Sequence, residues 1–209
     1  MGVLGGSFDP IHYGHLRVAL EVLQTLSLST LKFIPCKQQV FKNHAPCTAV
    51  HRVAMLELAI AGVSAFEVET CEIQRETPSY MVETLLTLQQ AYPQQALCLI
   101  VGADVAQGFD GWHQWQSIFS LAHIVVVTRP DYDIKTIPWL QQRLPQQQVF
   151  HPDALHQEKA GKILIFPTSP LAISAQAIRR QLANHHSPRF LLPDAVLNYI
   201  HQHHLYERV

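Results

Sequence analysis

Two histidines, His12 and His15, follow a pair of glycines near the amino end of the chain, within the run Gly5-Gly6-Ser7-Phe8-Asp9-Pro10-Ile11-His12-Tyr13-Gly14-His15. The glycines let the chain turn sharply and let a ligand come close to the backbone. A helix beginning near Gly14 would direct free N–H groups and a partial positive charge at the same place, which favours phosphate. Both imidazoles could donate hydrogen bonds to phosphate oxygens from one face of a tight turn. The segment therefore predicts a site for a phosphorylated ligand.

Other interpretations of this segment are open. A single histidine at such a place is more often a polar surface residue, and a glycine pair alone does not define a site. His12 and His15 could also be two metal ligands, but no carboxylate or further histidine follows them at helical spacing. The segment matches neither the Gly-x-Gly-x-x-Gly pattern of dinucleotide-cofactor sites nor the Gly-Lys-Ser/Thr ending of a P-loop.

A second candidate for phosphate binding lies near the carboxyl end, in the run from Ile173 to Arg179. Ser174 suits the N-cap of a helix predicted over about 174–184. Arg179, one turn into that helix, could form a forked pair of hydrogen bonds with a phosphate group. Taken alone, the same residues describe an ordinary capped helix with a solvated arginine.

The elements that would position these residues are short apolar runs alternating with longer amphipathic segments. This alternation predicts a doubly wound (Rossmann-like) α/β fold, with a parallel sheet covered by helices on both faces, in a single domain over 1–209. Ligands of such sheets bind beyond the carboxyl ends of the strands, at the switch point. The predicted strands are Val3-Leu4, 31–35, 97–101, 124–128 and 163–166, and the predicted helices are about 15–26, 48–61, 79–91, 113–120, 174–184 and 194–203.

Two stretches do not fit the alternation. Residues 36–47 are predicted to form a mobile loop after the second strand. Residues 131–162 are rich in proline and glutamine, and we expect an irregular surface excursion there rather than a second domain.

Composition limits the partners. The chain has 209 residues, of which 48% are hydrophobic and 15% charged, with a formal net charge of -1. Near-neutral charge argues against nucleic acid as a partner, because non-specific binding of nucleic acid needs clustered Lys and Arg. No run approaches the roughly 18 apolar residues of a membrane span, and the amino end is no secretory signal. The cysteines form no Cys-x-x-Cys pair, so we expect reduced thiols in a cytoplasmic protein at Cys36, Cys47, Cys71 and Cys98.

The run from Gly5 to Leu16, with its His-x-Gly-His core, resembles the signature of the nucleotidylyltransferase superfamily. Along nearly the whole chain the order and spacing of further segments are similar to those of bacterial nicotinate-mononucleotide adenylyltransferases. The matching segments are Arg52 with Met55-Leu56, Pro78-Ser79-Tyr80 with Thr84-Leu85, Gly102-x-Asp104, Phe109 with Trp112, Arg129-Pro130, Ile173-Ser174 with Ile178-Arg179, Leu192-Pro193 and Tyr199-Ile200.

The resemblance implies transfer of AMP from ATP to nicotinate mononucleotide, giving nicotinate adenine dinucleotide and pyrophosphate by direct in-line attack. It implies Mg²⁺ as a cofactor that arrives with ATP and has few protein ligands or none. The implied catalytic residues are His12, His15 and Arg179. The implied ATP-binding residues are Gly5, Gly6, Ser7, Phe8, His15, Lys42, Gly102, Asp104, Ile173, Ser174 and Arg179. The implied mononucleotide-binding residues are Thr84, Trp112 and His113. Residues 174–209 would form a helical part that closes the ATP site.

Several points depart from the family pattern or leave alternatives. Family members commonly have a histidine where this chain has Phe41, and a threonine where it has Gln176. Asp104 could instead cap a helix, while Arg52 and Arg129 could be structural ion-pair partners. The acceptor could be nicotinamide mononucleotide or phosphopantetheine, or the chain could be a non-catalytic nucleotide sensor. The histidines near the carboxyl end favour a solvated helix over a metal site, and a homo-oligomer is left open.

Overall fold

The computed structural model describes residues 1–37, 47–128, 133–169 and 171–207, and at Lys135 it describes the backbone alone. Strands formed by these residues build one seven-stranded sheet in which every pairing is parallel. The strands are β1 (Gly2–Gly6), β2 (Leu31–Pro35), β3 (Phe66–Val68), β4 (Cys98–Gly102), β5 (His123–Thr128), β6 (Gln148–Val149) and β7 (Ile163–Pro167).

The strand order β3-β2-β1-β4-β5-β7-β6 places the switch point between β1 and β4. From β1 the chain first winds outward through β2 to β3, and it then returns to lay β4 on the other side of β1. Connections leave β1 and β4 in opposite directions, so a crevice opens beyond their carboxyl ends. The glycines that end these strands, Gly6 and Gly102, therefore border the same crevice.

Helices cover both faces of the sheet, as the apolar strands require. They are α1 (Tyr13–Thr25), α2 (Ala49–Ile60), α3 (Cys71–Gln74), α4 (Met81–Ala91), α5 (Ala103–Ala106), α6 (Trp115–Leu121), α7 (Pro138–Gln147), α8 (Ala175–Ala183) and α9 (Asp194–Gln202). Buried residues of α1, α2, α8 and α9 form one apolar cluster, and those of α4, α6 and α7 form the other. Alternate residues of the strands face the two clusters: Ile100 packs in the first, and Leu99 and Val101 pack in the second.

The predicted fold class and all five predicted strands are confirmed. The prediction of an irregular excursion over 131–162 is wrong for much of its described part, 133–162. There α7 packs Trp139 and Leu140 into the second apolar cluster, and β6 pairs with β7 at the sheet edge. Proline fits the first turn of α7 at Pro138, where no intrahelical N–H is needed, and glutamine is an adequate helix former.

Most of the predicted loop over 36–47 lies outside the described residues. Within the described part of the chain, the helices are too short or too polar for any of them to cross a membrane.

Candidate active site

His12 and His15 lie just beyond the carboxyl end of β1, at the start of α1. His12 is the N-cap of α1, and its carbonyl accepts hydrogen bonds from the N–H groups of His15 and Leu16. The two imidazole rings stack, with their centroids 3.8 Å apart and their planes 25° from parallel. The Nδ1 atoms of both rings are buried and have no hydrogen-bond partner among the described residues. Two polar groups are thus held together and unsatisfied at the mouth of the switch-point crevice.

The imidazoles are neutral near pH 7. Loss of hydration lowers the pKa of His12 to about 4. The same loss, together with repulsion from the adjacent His12, lowers the pKa of His15 to about 3. A neutral imidazole donates through one ring nitrogen and accepts through the other, so each ring offers one N–H to a ligand. A polyanion brought beside these rings would favour their protonated form and raise both pKa values.

Two neighbours fix the position of the histidine pair. The buried ring of Phe8 meets the ring of His15 edge to face, with centroids 5.3 Å apart. Phe8 has φ 49°, in the left-handed region, which turns the chain from β1 toward α1. At Gly14, a Cβ atom would lie 2.9 Å from Nδ1 of His12. Gly14 is therefore needed for space, because His12 is buried and its ring cannot move aside.

A buried arginine on α2 donates hydrogen bonds to the turn after β1. The Arg52 side chain, on α2, is 1% exposed, and its guanidinium donates to the Ser7 carbonyl at 2.7 Å and to the Cys36 carbonyl at 2.6 Å. It thereby joins the chain that leaves β1 to the chain that leaves β2. The sequence leaves open an ion-pair role for Arg52, whereas the hydrogen-bond partners that the structure gives it are main-chain carbonyls.

The second predicted phosphate segment meets this turn. Ser174 caps α8, and its hydroxyl accepts a hydrogen bond from the Ala177 N–H at 3.2 Å. Arg179 donates from Nη1 to the main-chain carbonyl of Asp9 at 2.5 Å, across 170 residues of sequence. The Ile173 carbonyl lies 3.6 Å from the position that a Cβ atom of Gly14 would take. The start of α8 and the start of α1 are therefore neighbours, as the sequence led us to expect.

The end of β4 borders the same crevice. Asp104 lies in the first turn of α5 and is exposed, so its carboxylate is free to reach a solvent-borne ligand. A Cβ atom on Gly102 would lie 2.6 Å from Oδ1 of Asp104, which places the carboxylate directly over the end of the strand. The position suits a contact with ribose hydroxyls. The alternative role of Asp104 as a helix cap is wrong, because Gly102 is the N-cap of α5 and no side-chain hydrogen bond among the described residues caps that helix.

The three residues predicted to bind the mononucleotide lie on the side of the sheet covered by α4 and α6. Trp112 follows the short 3-10 helix Phe109–Gly111 and is partly exposed, against Phe109. The His113 ring stacks on the Tyr80 ring with centroids 4.3 Å apart. Thr84 is fully buried, and its hydroxyl donates to Oε1 of buried Glu72 at 2.7 Å. The Thr84 proton is therefore committed to an internal partner in this state.

Of the remaining predicted ATP-binding residues, some lie at the end of β1 and one lies outside the described residues. Gly5 is exposed and Gly6 partly exposed at the end of β1, whereas Phe8 can reach a ligand only through its main chain, since its side chain is buried. Lys42, like Phe41 and Arg129, lies outside the described residues. Among the residues that are described, no group of three or more His, Cys, Asp or Glu side chains is arranged to hold a metal ion.

Sequence reasoning gave no role to Asp9 or Tyr206. Asp9 is 2% exposed, and its carboxyl Oδ1 accepts a hydrogen bond from the Tyr206 hydroxyl at 2.6 Å. Asp9 lies among apolar residues of the signature, and a carboxylate in such surroundings is a signal of a buried partner. The identity of that partner, 197 residues away, has no local signal.

Comparisons with known proteins agree with this geometry. A model of the cytidylyltransferase-like family matches residues 3–181. The chain is 43% identical over 209 residues to a probable nicotinate-nucleotide adenylyltransferase of Methylococcus capsulatus, covering 100% of both chains. It is 45% identical over 206 residues to one of Acidithiobacillus ferrooxidans, covering 98% of this chain and 94% of the relative. Among solved structures, nicotinic acid mononucleotide adenylyltransferase of Plasmodium falciparum complexed with NaAD has a TM-score of 0.73 at 17% identity, covering 98% of this chain and 96% of that chain. At that identity the structural likeness shows the fold.

Proposed function

The chain belongs to the cytidylyltransferase-like family and, within it, to the nicotinate-nucleotide adenylyltransferases, and we propose that its switch-point crevice transfers AMP from ATP to nicotinate mononucleotide. The products are nicotinate adenine dinucleotide and pyrophosphate, and the reaction is a step of NAD biosynthesis. The observation that carries the proposal is the stacked, unsatisfied pair of His12 and His15 beside Arg179, in a chain that matches such enzymes over its full length.

The reaction joins two anions. An oxygen of the 5′-phosphate of nicotinate mononucleotide attacks the α-phosphorus of ATP, and the bond between that phosphorus and the bridging oxygen to the β-phosphate breaks. Phosphate is already ionised at pH 7, so no general base is needed to create the nucleophile. The protein must hold the two anions in line and stabilise the charge that moves onto pyrophosphate.

The residues beyond β1 and at the start of α8 suit that task. We assign His15 to the α-phosphate and its transition state, and His12 to the triphosphate. Each neutral ring offers a hydrogen-bond donor, and the charge of ATP favours their protonation. Arg179 keeps its Nη1 on the Asp9 carbonyl, and the rest of its guanidinium fork is directed to the β- and γ-phosphates. Gly5, Gly6, Ser7 and the main chain of Phe8 line the path, and Ile173 and Ser174 complete it at the start of α8.

The nucleoside parts are assigned to the ends of other strands and helices. Asp104, beside Gly102, accepts from ribose hydroxyls of the adenosine. The flat face of Trp112 stacks on the nicotinate ring. The nicotinate carboxylate accepts hydrogen bonds from the main chain around His113 and from the Thr84 hydroxyl, once that hydroxyl has turned away from Glu72. Lys42 adds a cation to the phosphates. Within residues 174–209, it is α8 that closes the ATP site, since it contacts the turn after β1 through Arg179.

Mg²⁺ enters this account as part of the substrate. Magnesium bound to ATP would offset the negative charge of the triphosphate and would keep most of its own waters, so it would need few protein ligands or none. We place the enzyme in the cytoplasm, where ATP is available and free thiols such as Cys36 and Cys71 stay reduced.

The test is a comparison of acceptors. Pyrophosphate release is measured with Mg²⁺ and ATP, and with nicotinate mononucleotide, nicotinamide mononucleotide or phosphopantetheine in turn. We expect the highest kcat/KM with nicotinate mononucleotide and loss of turnover when EDTA removes the magnesium. Turnover with phosphopantetheine alone would replace the assigned acceptor, and ATP binding without turnover on any acceptor would favour a nucleotide sensor.

A further inference from the structure

Asp9 is the point at which three distant parts of the chain meet. Its carboxyl group accepts hydrogen bonds from the Tyr206 hydroxyl, at 2.6 Å, and from the main-chain N–H of Cys47. Its main-chain carbonyl accepts the hydrogen bond from Arg179. The residue thus links the turn after β1 to α8 through its backbone and to the carboxyl end of the chain through its side chain.

The burial and the charged neighbours of Asp9 make its carboxyl group dependent on these hydrogen bonds. Burial raises the pKa of the Asp9 carboxyl group, while the Tyr206 hydrogen bond and the nearby guanidinium groups of Arg179 and Arg52 lower it. A buried carboxylate depends on its hydrogen bonds, since water cannot replace a lost partner. The phenol is tied to the same place, because burial and the negative Asp9 raise the pKa of Tyr206. Tyr206 therefore remains a proton donor near pH 7.

The conformation of the chain after α9 places the Tyr206 hydroxyl beside Asp9. The Leu205 N–H donates to the Ile200 carbonyl at 3.0 Å, which reverses the chain at the end of the helix. Tyr206 then adopts φ 65°, in the left-handed region, and both it and Leu205 pack against the first apolar cluster. A tyrosine held in an unfavourable backbone conformation is over-determined by its contacts.

We propose that Tyr206 is a positioning residue for the ATP site. By holding the Asp9 side chain, it fixes the carbonyl on which Arg179 rests, and with it the distance between Arg179 and the histidine pair. We assign Tyr206 no role in binding the acceptor, because its hydroxyl is bonded to Asp9 and its ring packs against the first apolar cluster, whereas Trp112 packs against the second. The effect on kcat/KM that we expect rests on the proposed function. The effect on the Kd of an ATP analogue, measured without acceptor, does not.

Tyr206→Phe removes one oxygen atom and keeps the packed ring. We expect kcat/KM for ATP to fall about tenfold, the lower end for a hydrogen bond to a charged group, while KM for nicotinate mononucleotide stays within twofold. The Kd of a non-reactive ATP analogue, measured without acceptor, should rise by a similar factor. The matched control is Tyr199→Phe, which removes a hydroxyl bonded to Nδ1 of His51 at 2.9 Å, between α9 and α2. Tyr199→Phe should leave the ATP parameters within twofold.

A double-mutant cycle tests whether the effect passes through Asp9. In an Asp9→Ala background, Tyr206→Phe should cost less than twofold in the Kd of the ATP analogue. Unchanged ATP parameters in Tyr206→Phe would overturn the inference, and so would equal losses for both substrates or a full effect that persists without the Asp9 side chain. If Asp9→Ala does not fold, the comparison of Tyr206→Phe with Tyr199→Phe decides alone. A wild-type enzyme that binds the analogue but releases no pyrophosphate would refute the proposed function and leave this binding test intact.

Discussion

His12 and His15 stack with their ring centroids 3.8 Å apart, and neither Nδ1 atom has a hydrogen-bond partner among the described residues. Buried polar atoms without partners are rare in folded proteins and cost stability. The two unpartnered Nδ1 atoms lie at the mouth of the switch-point crevice, where the oxygens of a triphosphate would supply the missing hydrogen-bond partners. The pair is therefore better explained by a ligand than by the fold.

Replacing His15 with alanine should lower kcat by on the order of 10²–10⁴-fold, the range for loss of a positioned donor in a transition state. The free energy of unfolding should change little, because the lost packing of the ring against Phe8 and His12 is offset by removal of an unsatisfied polar atom. Pyrophosphate release and urea unfolding check the two halves of this prediction. His151→Ala, at an exposed position outside the site, is the control and should keep wild-type turnover. Near-normal turnover of His15→Ala would remove His15 from the mechanism.

The depressed pKa values of the pair predict how stability depends on pH. The unfolded chain has histidine pKa values near 6.5, so between that pH and about 3 to 4 it binds protons that folded His12 and His15 do not. The contribution of the histidine pair to the free energy of unfolding should therefore be flat above about pH 7 and fall as the pH drops. Each histidine adds a slope of at most about 1.4 kcal/mol per pH unit.

Denaturant unfolding between pH 7 and pH 5 measures that slope. The His12→Asn and His15→Gln double variant should show a shallower slope than the wild type. Some slope will remain, because burial also lowers the pKa of His123. An identical slope in the double variant would mean that the pair is protonated in the folded enzyme.

Arg52→Met should destabilise the protein by about 2–4 kcal/mol, since it leaves the Ser7 and Cys36 carbonyls without their donor and each buried orphan costs about 1–3 kcal/mol. The turn after β1 should also loosen, so KM for ATP should rise more than KM for the mononucleotide. Arg180→Met, at an exposed position on α8, should change stability by less than about 0.5 kcal/mol. Equal stability of the two variants would show that Arg52 does not hold the turn.

Two tryptophans of similar exposure separate acceptor binding from packing. Trp112→Ala should raise KM for nicotinate mononucleotide about tenfold or more and change KM for ATP little, because its ring is assigned to the nicotinate. Trp115 packs against Phe109, Phe119 and Trp139, so Trp115→Ala should lower Tm and leave both KM values near wild type. Steady-state kinetics of both variants measures the two KM values, and thermal unfolding measures Tm. If Trp112→Ala raises both KM values equally, its ring serves packing.

The parts of this molecule that sequence predicts best are those with local signals. Continuous apolar runs such as 97–101 and 124–128 mark strands buried on both faces, and the structure has β4 and β5 within a residue of them. Ser174 marks the start of α8 because an N-cap needs a side-chain acceptor at that position. The neighbouring positions of His12 and His15 follow from their spacing.

The parts that sequence missed depend on distant or context-dependent contacts. Helix α7 contains Pro145 and four glutamines, so its pattern resembles a loop, and burial of Trp139 and Leu140 is what secures it. The contacts of Arg52 with Ser7 and of Tyr206 with Asp9 span 45 and 197 residues. No local pattern carries them, because they exist only after the sheet has brought the chain ends together.

The central claim is that the histidine pair and Arg179 bind one triphosphate. A crystal structure of the enzyme with Mg²⁺ and a non-reactive ATP analogue tests this most directly. The account predicts phosphate oxygens within about 3.2 Å of an imidazole nitrogen of His15 and, on the same triphosphate, of the Arg179 guanidinium. An analogue bound with its triphosphate on only one of these groups, or in a cavity that borders neither, would contradict it.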